Sequence, residues 1–554
     1  MYGVKYDLKE MELGKRLNDY RAWIYFTDKT GSRMISIDKK TAHRRKKNNV
    51  LDTSSRYDLS VSHKYVAQIS SLGVTIKTKS RWLNAISVIC SMEDLNKIAK
   101  LPFVKTIKPV IGYRKDNFET YPDINPFSRD FDYGNARDQI EQINVDELHA
   151  LGYTGEGVRI LVMDTGFNLT HNALRGVNVV DQWDVIKDDE ETSNQSEEEF
   201  AVGQDYHGTA VLSTIAANSP GELMGVAFDA EFLLAKTEDV SQEVQLEEDN
   251  YVAGLEWGEA NGADVVSTSL GYLDWYEYSD MDGNTAITTI GVDIAVSLGV
   301  VCVTAAGNSG NDSWYYIIAP ADADSVISVG AVSDNGDIAS FSSHGPTYDG
   351  RIKPELCARG RQTWCVNPNS TTNYSRLSGT SLACPLVSGA AALIIQARPE
   401  WTAMEVREAM MLTASMSDSA NNNYGHGILD AVNAISYEAN TVKTDNQKLL
   451  PFNHKLIKTY PNPFNPKINI EVEVGKSHFI SVDILSYDGS FISNIFMDET
   501  DGEIQELQWE PRKLSSGIYI IRLEYDNKFE YKISQRSFSD SGEGIDRIFT
   551  EVIH

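Results

Sequence analysis

Cysteine is scarce, with five in 554 residues, too few for a disulfide framework in a chain of this size. Cys90, Cys302 and Cys384 lie in apolar stretches and read as buried thiols, whereas Cys357 and Cys365 flank a short glycine-containing loop and are candidates to pair in an oxidising compartment. No CxxC and no histidine-rich spacing occurs, which excludes the common zinc frameworks. Positive charge is in deficit: 50 Lys and Arg stand against 79 Asp and Glu, a net charge of −29, and nucleic acid is excluded as a general partner. No uninterrupted apolar run reaches the ~18 residues of a membrane span. The acidic tracts Asp188–Glu191, Glu197–Glu199 and Glu247–Asp249 read as solvated loops and carry no calcium-ligand spacing.

What is present is an ordinary globular balance, 42% hydrophobic and 23% charged, at a length that accommodates about three domains. Residues 1–112 mix strand and helix signals, including Ala22–Phe26, a basic segment through Arg44–Lys47 and Leu83–Val88, and read as a small α+β unit. Residues 113–138 read as a linker. Over 139–435, apolar runs without polar alternation, such as Val158–Met163, Ala263–Ser267, Val300–Thr304 and Val326–Gly330, alternate with helical stretches. That pattern predicts an α/β fold with a doubly wound, mostly parallel sheet covered on both faces, with active groups at the carboxyl ends of its strands. After a second linker at 436–455, short strands at close spacing over 456–536 predict a β-sandwich, followed by an acidic tail at 537–554.

The stretch Leu377–Gln396 organises the middle unit. Gly379-Thr380 forms a turn, Ser381 follows it, and the Ala/Val/Ile-rich run beyond has no polar face, so it is a buried helix. Pro385 is expected within its first turn, where the missing N–H deprives no carbonyl. A hydroxyl at such a helix start lies among unpaired N–H groups at the positive dipole end, where an oxyanion is stabilised. Ser381 thus reads as a nucleophile or as a capping serine. Two further sites bear on the choice. Val158–Met163 runs into Asp164-Thr165-Gly166, and Asp205-Tyr206-His207-Gly208-Thr209 opens a helix with an imidazole. Singly, Asp164 fits a helix cap and His207 a surface histidine; together with Ser381 they form the set of nucleophile, base and orienting group that acyl transfer uses.

Asp164-Thr165-Gly166, His207-Gly208-Thr209, Ala305-Ala306-Gly307-Asn308 and Gly379-Thr380-Ser381-Leu382-Ala383-Cys384-Pro385 resemble, in this order, the four motifs of the subtilisin-like serine proteases. The resemblance implies Ser381 as nucleophile, His207 as general base and acid, Asp164 as its support, and an oxyanion hole from the Asn308 side chain and the Ser381 N–H. It implies further that Ser269-Leu270-Gly271 pairs with substrate backbone and that Ala305, Ala306 and Gly307 line the substrate site. The chemistry then requires no cofactor and acts on peptides or proteins. The chain departs from the family at Ala210, where a second histidine is usual, and at Leu382 and Cys384 in the nucleophile motif; none of these positions performs chemistry. An aspartic protease shares the Asp-Thr-Gly signature but needs two such loops, and this chain has one. A catalytically silent binding or adhesion module is the non-enzymatic alternative.

Residues 20–110 resemble the propeptide of such enzymes, through Ser80–Ala85 and Leu101–Val104, which implies an intramolecular chaperone and inhibitor, with the maturation site in the 113–138 linker. Tyr460–Pro466 and Leu514–Tyr519 resemble the sorting domain of the type IX secretion system, implying a secreted or cell-surface protein that meets that machinery. The first residues lack the apolar stretch of an export signal, so an apolar segment upstream of Met1 is expected. Residues 1–115 hold 24 Lys and Arg against 10 Asp and Glu, opposite in sign to the rest. This predicts salt-sensitive attraction between propeptide and enzyme, with Arg44–Lys47 acting on encounter and little on dissociation.

Overall fold

The computed structural model describes residues 6, 11, 14–16, 19–48, 50, 57–110, 112–113, 131–241, 243–244 and 246–437, and then 455–460, 467–473, 476–486, 491–501, 505–509, 517–525 and 528–536. The predicted maturation linker, most of the second linker, the Pro461–Pro466 motif and the acidic tail lie largely or wholly outside them. The chain divides into two compact units, Met1–Asn440 and Thr441–His554.

The first unit begins with an antiparallel sheet. Strands β1 (Asp19–Phe26), β2 (Thr75–Ser80), β3 (Ala85–Cys90) and β4 (Val104–Pro109) lie in the order β2-β3-β1-β4. Helices α1 (Lys39–Lys47), α2 (His63–Ser70) and α3 (Met92–Ala99) accompany it. Asp38 caps α1, accepting from Lys40 N at 2.7 Å, and basic residues fill its last turn, where the dipole favours them. Two of these basic residues are not solvated: Arg44 and Arg45 are each only 2% exposed.

Beyond residue 155 the sheet is parallel throughout. Strands β5 (Arg159–Asp164), β6 (Asn178–Asp184), β7 (Glu231–Lys236), β8 (Val265–Thr268), β9 (Val301–Ala305), β10 (Ile327–Val332) and β11 (Leu356–Arg359) stand in the order β11-β10-β9-β8-β5-β7-β6. Six of the seven, all but β6, are buried along nearly their whole length, which is why they read as apolar runs rather than as alternating ones. The sheet winds outward from β5 in one direction through β7 and in the other through β8, so the switch point lies between β5 and β8. Helices α4 (Tyr206–Ala216), α5 (Leu246–Ala260), α6 (Ile287–Ser297), α7 (Thr380–Ala397) and α8 (Ala403–Leu412) cover it. Helix α7 is long and apolar enough, by composition, to cross a membrane, but 83% of it is buried in this core.

Two expectations need correction. Two of the acidic tracts are not loops: Glu197–Glu199 opens a short helix, Glu197–Val202, and Glu247–Asp249 opens α5, where all three residues are buried. The cause of that burial is the N-terminal sheet, whose Trp23, Tyr25, Leu83 and Ala85 share an apolar cluster with Leu246 and Ile287 of the parallel-sheet region. Cys357 and Cys365 are not paired; all five cysteines are free and buried, and Cys357 Sγ instead approaches Tyr424 O at 3.5 Å.

In the second unit β12 (Lys455–Tyr460), β13 (Ile468–Glu473) and β16 (Gln505–Trp509) form one antiparallel sheet. Strands β14 (Lys476–Ser486), β15 (Phe491–Asp501), β17 (Gly517–Tyr525) and β18 (Lys528–Arg536) form another. Ile468, Ile470 and Val472 alternate into a core with Val482, Ile484, Trp509, Ile521 and Leu523.

Candidate active site

The register of the parallel sheet assembles the site. Thr268 pairs with Met163 on one side and Thr304 on the other. The next residues in each strand direction, Asp164, Ser269 and Ala305, therefore stand in one row at the carboxyl edge. Asp164 is fully buried, and its Oδ1 accepts from Thr165 N at 2.8 Å and from His207 Nδ1 at 2.7 Å. A carboxylate only accepts, so His207 carries its proton on Nδ1 and presents Nε2 as the basic nitrogen.

His207 sits in the first turn of α4, and Gly208 lets that turn approach the strand end. A Cβ at 208 would lie 2.2 Å from Gly166 O and 3.0 Å from Asp164 Cβ, so any larger residue would push His207 off its partner. Gly166, at φ +129°, makes the matching turn after Asp164.

Ser381 is the second residue of α7, not its cap; the N-cap is Gly379, and the capping reading of the serine falls. It is 3% exposed, and its Oγ makes no hydrogen bond among the described residues. Leu382 shares an apolar cluster with Tyr206 and Ala210, which flank His207, so the first turns of α4 and α7 lie side by side. Pro385 falls beyond the first turn, contrary to expectation, and the carbonyl its N–H would have served is that of Ser381. Ser269 Oγ donates to that carbonyl at 2.8 Å. Cys384 Sγ approaches Thr268 O at 3.3 Å, and burial pushes its thiol up to about 12, so it stays protonated and inert.

Asn308 follows β9 and is exposed. Its Oδ1 accepts from Thr380 N at 2.9 Å and Thr380 Oγ1 at 3.0 Å, which fixes the amide with Nδ2 as the outward donor. The side-chain position that Gly379 leaves empty lies 2.8 Å from Ser381 Oγ, 3.6 Å from Asn308 Nδ2 and 3.7 Å from Ser381 N. A nucleophile and two donors thus surround one small space, the geometry that acyl transfer needs. Sequence reasoning missed Thr380, although it lies inside a quoted motif.

The predicted substrate residues divide. Ser269 spends its hydroxyl inside the protein, and Leu270, Ala305 and Ala306 are buried. Gly271 and Gly307 face each other across Ile318: a Cβ at either would meet the Ile318 side chain at 2.5 Å and 3.0 Å, respectively. Ile318, which carries no sequence signal, fills the crevice between the two segments. No cluster of three or more His, Cys, Asp or Glu suited to a metal occurs among the described residues.

Comparison with known proteins places these elements. The subtilase family matches residues 155–427, the Bacteroidota peptidase S8 propeptide domain matches 21–120, and the secretion system C-terminal sorting domain matches 458–534. Subtilisin E of Bacillus subtilis (strain 168) is 31% identical over 368 residues, covering 65% of this chain and 83% of that protein. Subtilisin DY of Bacillus licheniformis is 36% identical over 295 residues, 52% of this chain and 95% of the relative. The alkaline protease of Shouchella clausii is 32% identical over 348 residues, 62% and 78% of the two chains.

Proposed function

The chain belongs to the subtilase family, a serine endopeptidase with a propeptide and a secretion sorting domain, and from that premise we propose that Asp164, His207 and Ser381 act as its catalytic triad through an acyl-enzyme. The observation that carries the reading is the 2.7 Å bond from His207 Nδ1 to buried Asp164, beside a helix start that holds an unpartnered serine hydroxyl. Ser381 Oγ attacks the peptide carbonyl while His207 Nε2 takes its proton, and Asp164 stabilises the imidazolium. The oxyanion receives Asn308 Nδ2 and the Ser381 N–H. Collapse breaks the C–N bond, and His207 returns the proton to the departing amine. Water, deprotonated by the same imidazole, then releases the acid and frees Ser381.

Substrate is held in extended form along Ser269–Gly271 and Ala305–Gly307 as an added strand. Ile318 packs between Gly271 and Gly307, and on this reading it restricts the residue before the cleaved bond to a small side chain. The exported precursor meets the type IX machinery through its C-terminal strands and processes itself. A fluorophosphonate should label Ser381, and the processed wild type should hydrolyse casein while Ser381→Ala does not. Absence of hydrolysis by a correctly processed wild type would sink the reading.

A further inference from the structure

Helix α1 belongs to a long connection between β1 and α2, and it does not pack on its own sheet alone. It lies on the enzyme, and nearly every acceptor it meets lies just before a strand of the parallel sheet or at the end of a helix leading to one. Asp38 N donates to Ala260 O at 2.8 Å, Thr41 Oγ1 to Glu259 O at 2.7 Å, and Lys40 Nζ to Gly157 O at 2.5 Å. Arg44 donates to Ala263 O, to Leu298 O at 3.3 Å, to Glu259 O at 3.2 Å and to the Glu259 carboxylate. Arg45 grips the same carboxylate with both prongs, at 3.0 Å and 2.9 Å, and reaches Asp58 at 2.7 Å. Glu259 is fully buried beneath them.

The receiving surface is built for a guanidinium. Helices α5 and α6 end here, each presenting last-turn carbonyls at the negative end of its dipole. Arg44 meets three carbonyls, those of Glu259 in the last turn of α5, Leu298 at the C-cap of α6 and Ala263 just before β8, together with the Glu259 carboxylate, a set of separate acceptors that a forked guanidinium can serve and a single ammonium cannot. Gly299, at φ +89°, leaves the space that the Asn48 amide fills, and Asn48 Oδ1 accepts from Ala403 N at 3.2 Å at the start of α8. The site is also remote from the serine. Ala263 precedes β8 and Ser269 follows it, a largely extended run of roughly 20 Å at about 3.3 Å per residue. The catalytic groups occupy the carboxyl edge of the sheet, and this surface occupies the amino edge.

We propose that the mature enzyme carries an arginine-binding exosite, made by Glu259, the Ala263 and Leu298 carbonyls and the ends of α5 and α6, whose resident ligand is the Arg44-Arg45 helix of its own propeptide. It holds the cleaved propeptide at a second point, independently of the active site, and so sets how long the enzyme stays inhibited after processing. Because the charges are buried and forked, the contact governs dissociation and is only weakly screened by salt. This extends the protease reading, since processing must occur for the cleaved complex to exist.

The test uses the full chain, allowed to process and then blocked at Ser381 with a fluorophosphonate, with dissociation of the N-terminal fragment followed by size exclusion. Arg44→Lys/Arg45→Lys keeps the charge and loses the fork, and should release the fragment on the order of 100-fold faster. Raising salt from 0.1 to 1 M should change wild-type release by less than about threefold. If the variant yields no enzyme, blocked wild-type mature enzyme is titrated with end-capped peptide 38–48 and with its double-lysine counterpart. Selective binding of the arginine peptide, with the fluorophosphonate labelling rate of unblocked enzyme unchanged by it, supports the exosite. Equal release by the lysine variant, equal binding of both peptides, or slowed labelling of Ser381 overturns it. Casein hydrolysis on the same preparations separates failure of the exosite from failure of the protease.

Discussion

Ser269 Oγ donates at 2.8 Å to the carbonyl of Ser381, the one carbonyl of α7 that Pro385 cannot serve. A residue expected to touch substrate is thereby tied to the backbone of the nucleophile. Ser269→Ala should leave that buried carbonyl unpaired, destabilising the blocked enzyme by about 1–3 kcal/mol. In a Pro385→Ala background the restored N–H takes over, and the same Ser269→Ala change should have almost no effect. Denaturant midpoints of the four proteins measure this coupling; equal losses in both backgrounds would show that Ser269 acts elsewhere.

Asp164→Asn retains the shape of the 2.7 Å contact but can donate to His207 Nδ1, reversing the tautomer and withdrawing the base from Ser381. Turnover should fall by about 10⁴ with KM little changed. Asn308→Ala should lower turnover by about 10²–10³, a magnitude taken from subtilisin itself rather than from this geometry. Steady-state kinetics on a short chromogenic peptide distinguish these from losses in binding.

The parts legible in the sequence were those set by local rules. A strand buried on both faces must be apolar throughout, so β5, β8 and β9 announced a parallel sheet. Asp164, His207 and Ser381 stand at element ends, where turn residues mark them. What stayed hidden depends on partners far along the chain. Ser269 meets a carbonyl 112 residues away, and Arg44 a carboxylate 215 residues away. A basic helix looks solvated until the surface that buries it is known. The same holds for Glu247–Asp249, whose burial is supplied by another part of the chain. Ile318 belongs to no periodic or motif signal, because its role follows only from the two glycines it separates.

Those glycines make the crevice testable. Ile318→Gly should open the space between Gly271 and Gly307 and raise kcat/KM for peptides with a large apolar residue before the cleaved bond by about 10–200-fold relative to alanine. A profile of chromogenic peptides differing only at that residue reads the change. An unaltered preference would place the specificity pocket elsewhere.

Release of the cleaved propeptide should depend on pH. Asp249 is fully buried at the start of α5, facing Ser87 and Trp23 of the N-terminal sheet with Arg21 and Glu248 nearby. Burial pushes its carboxyl well above the usual range; Ser87, Trp23 and Arg21 offset part of this, and Glu248 adds to it. Glu256, which accepts from Ser80 Oγ at 2.6 Å and from Arg81 N and Trp82 N at 3.1 Å each, is likewise raised by burial, against the pull of Arg81. Once the propeptide leaves, both carboxyls regain water and return toward the ordinary values near 4. The complex therefore binds more protons than its separated parts, and its stability is fully present below the free values and declines as pH rises toward the raised ones. Retention of the cleaved fragment by Ser381-blocked enzyme should fall from pH 5 to pH 8. Asp249→Asn should flatten that dependence and strengthen retention at the upper end. A retention that rises with pH would reverse the sign of the linkage and remove these carboxyls from the release step.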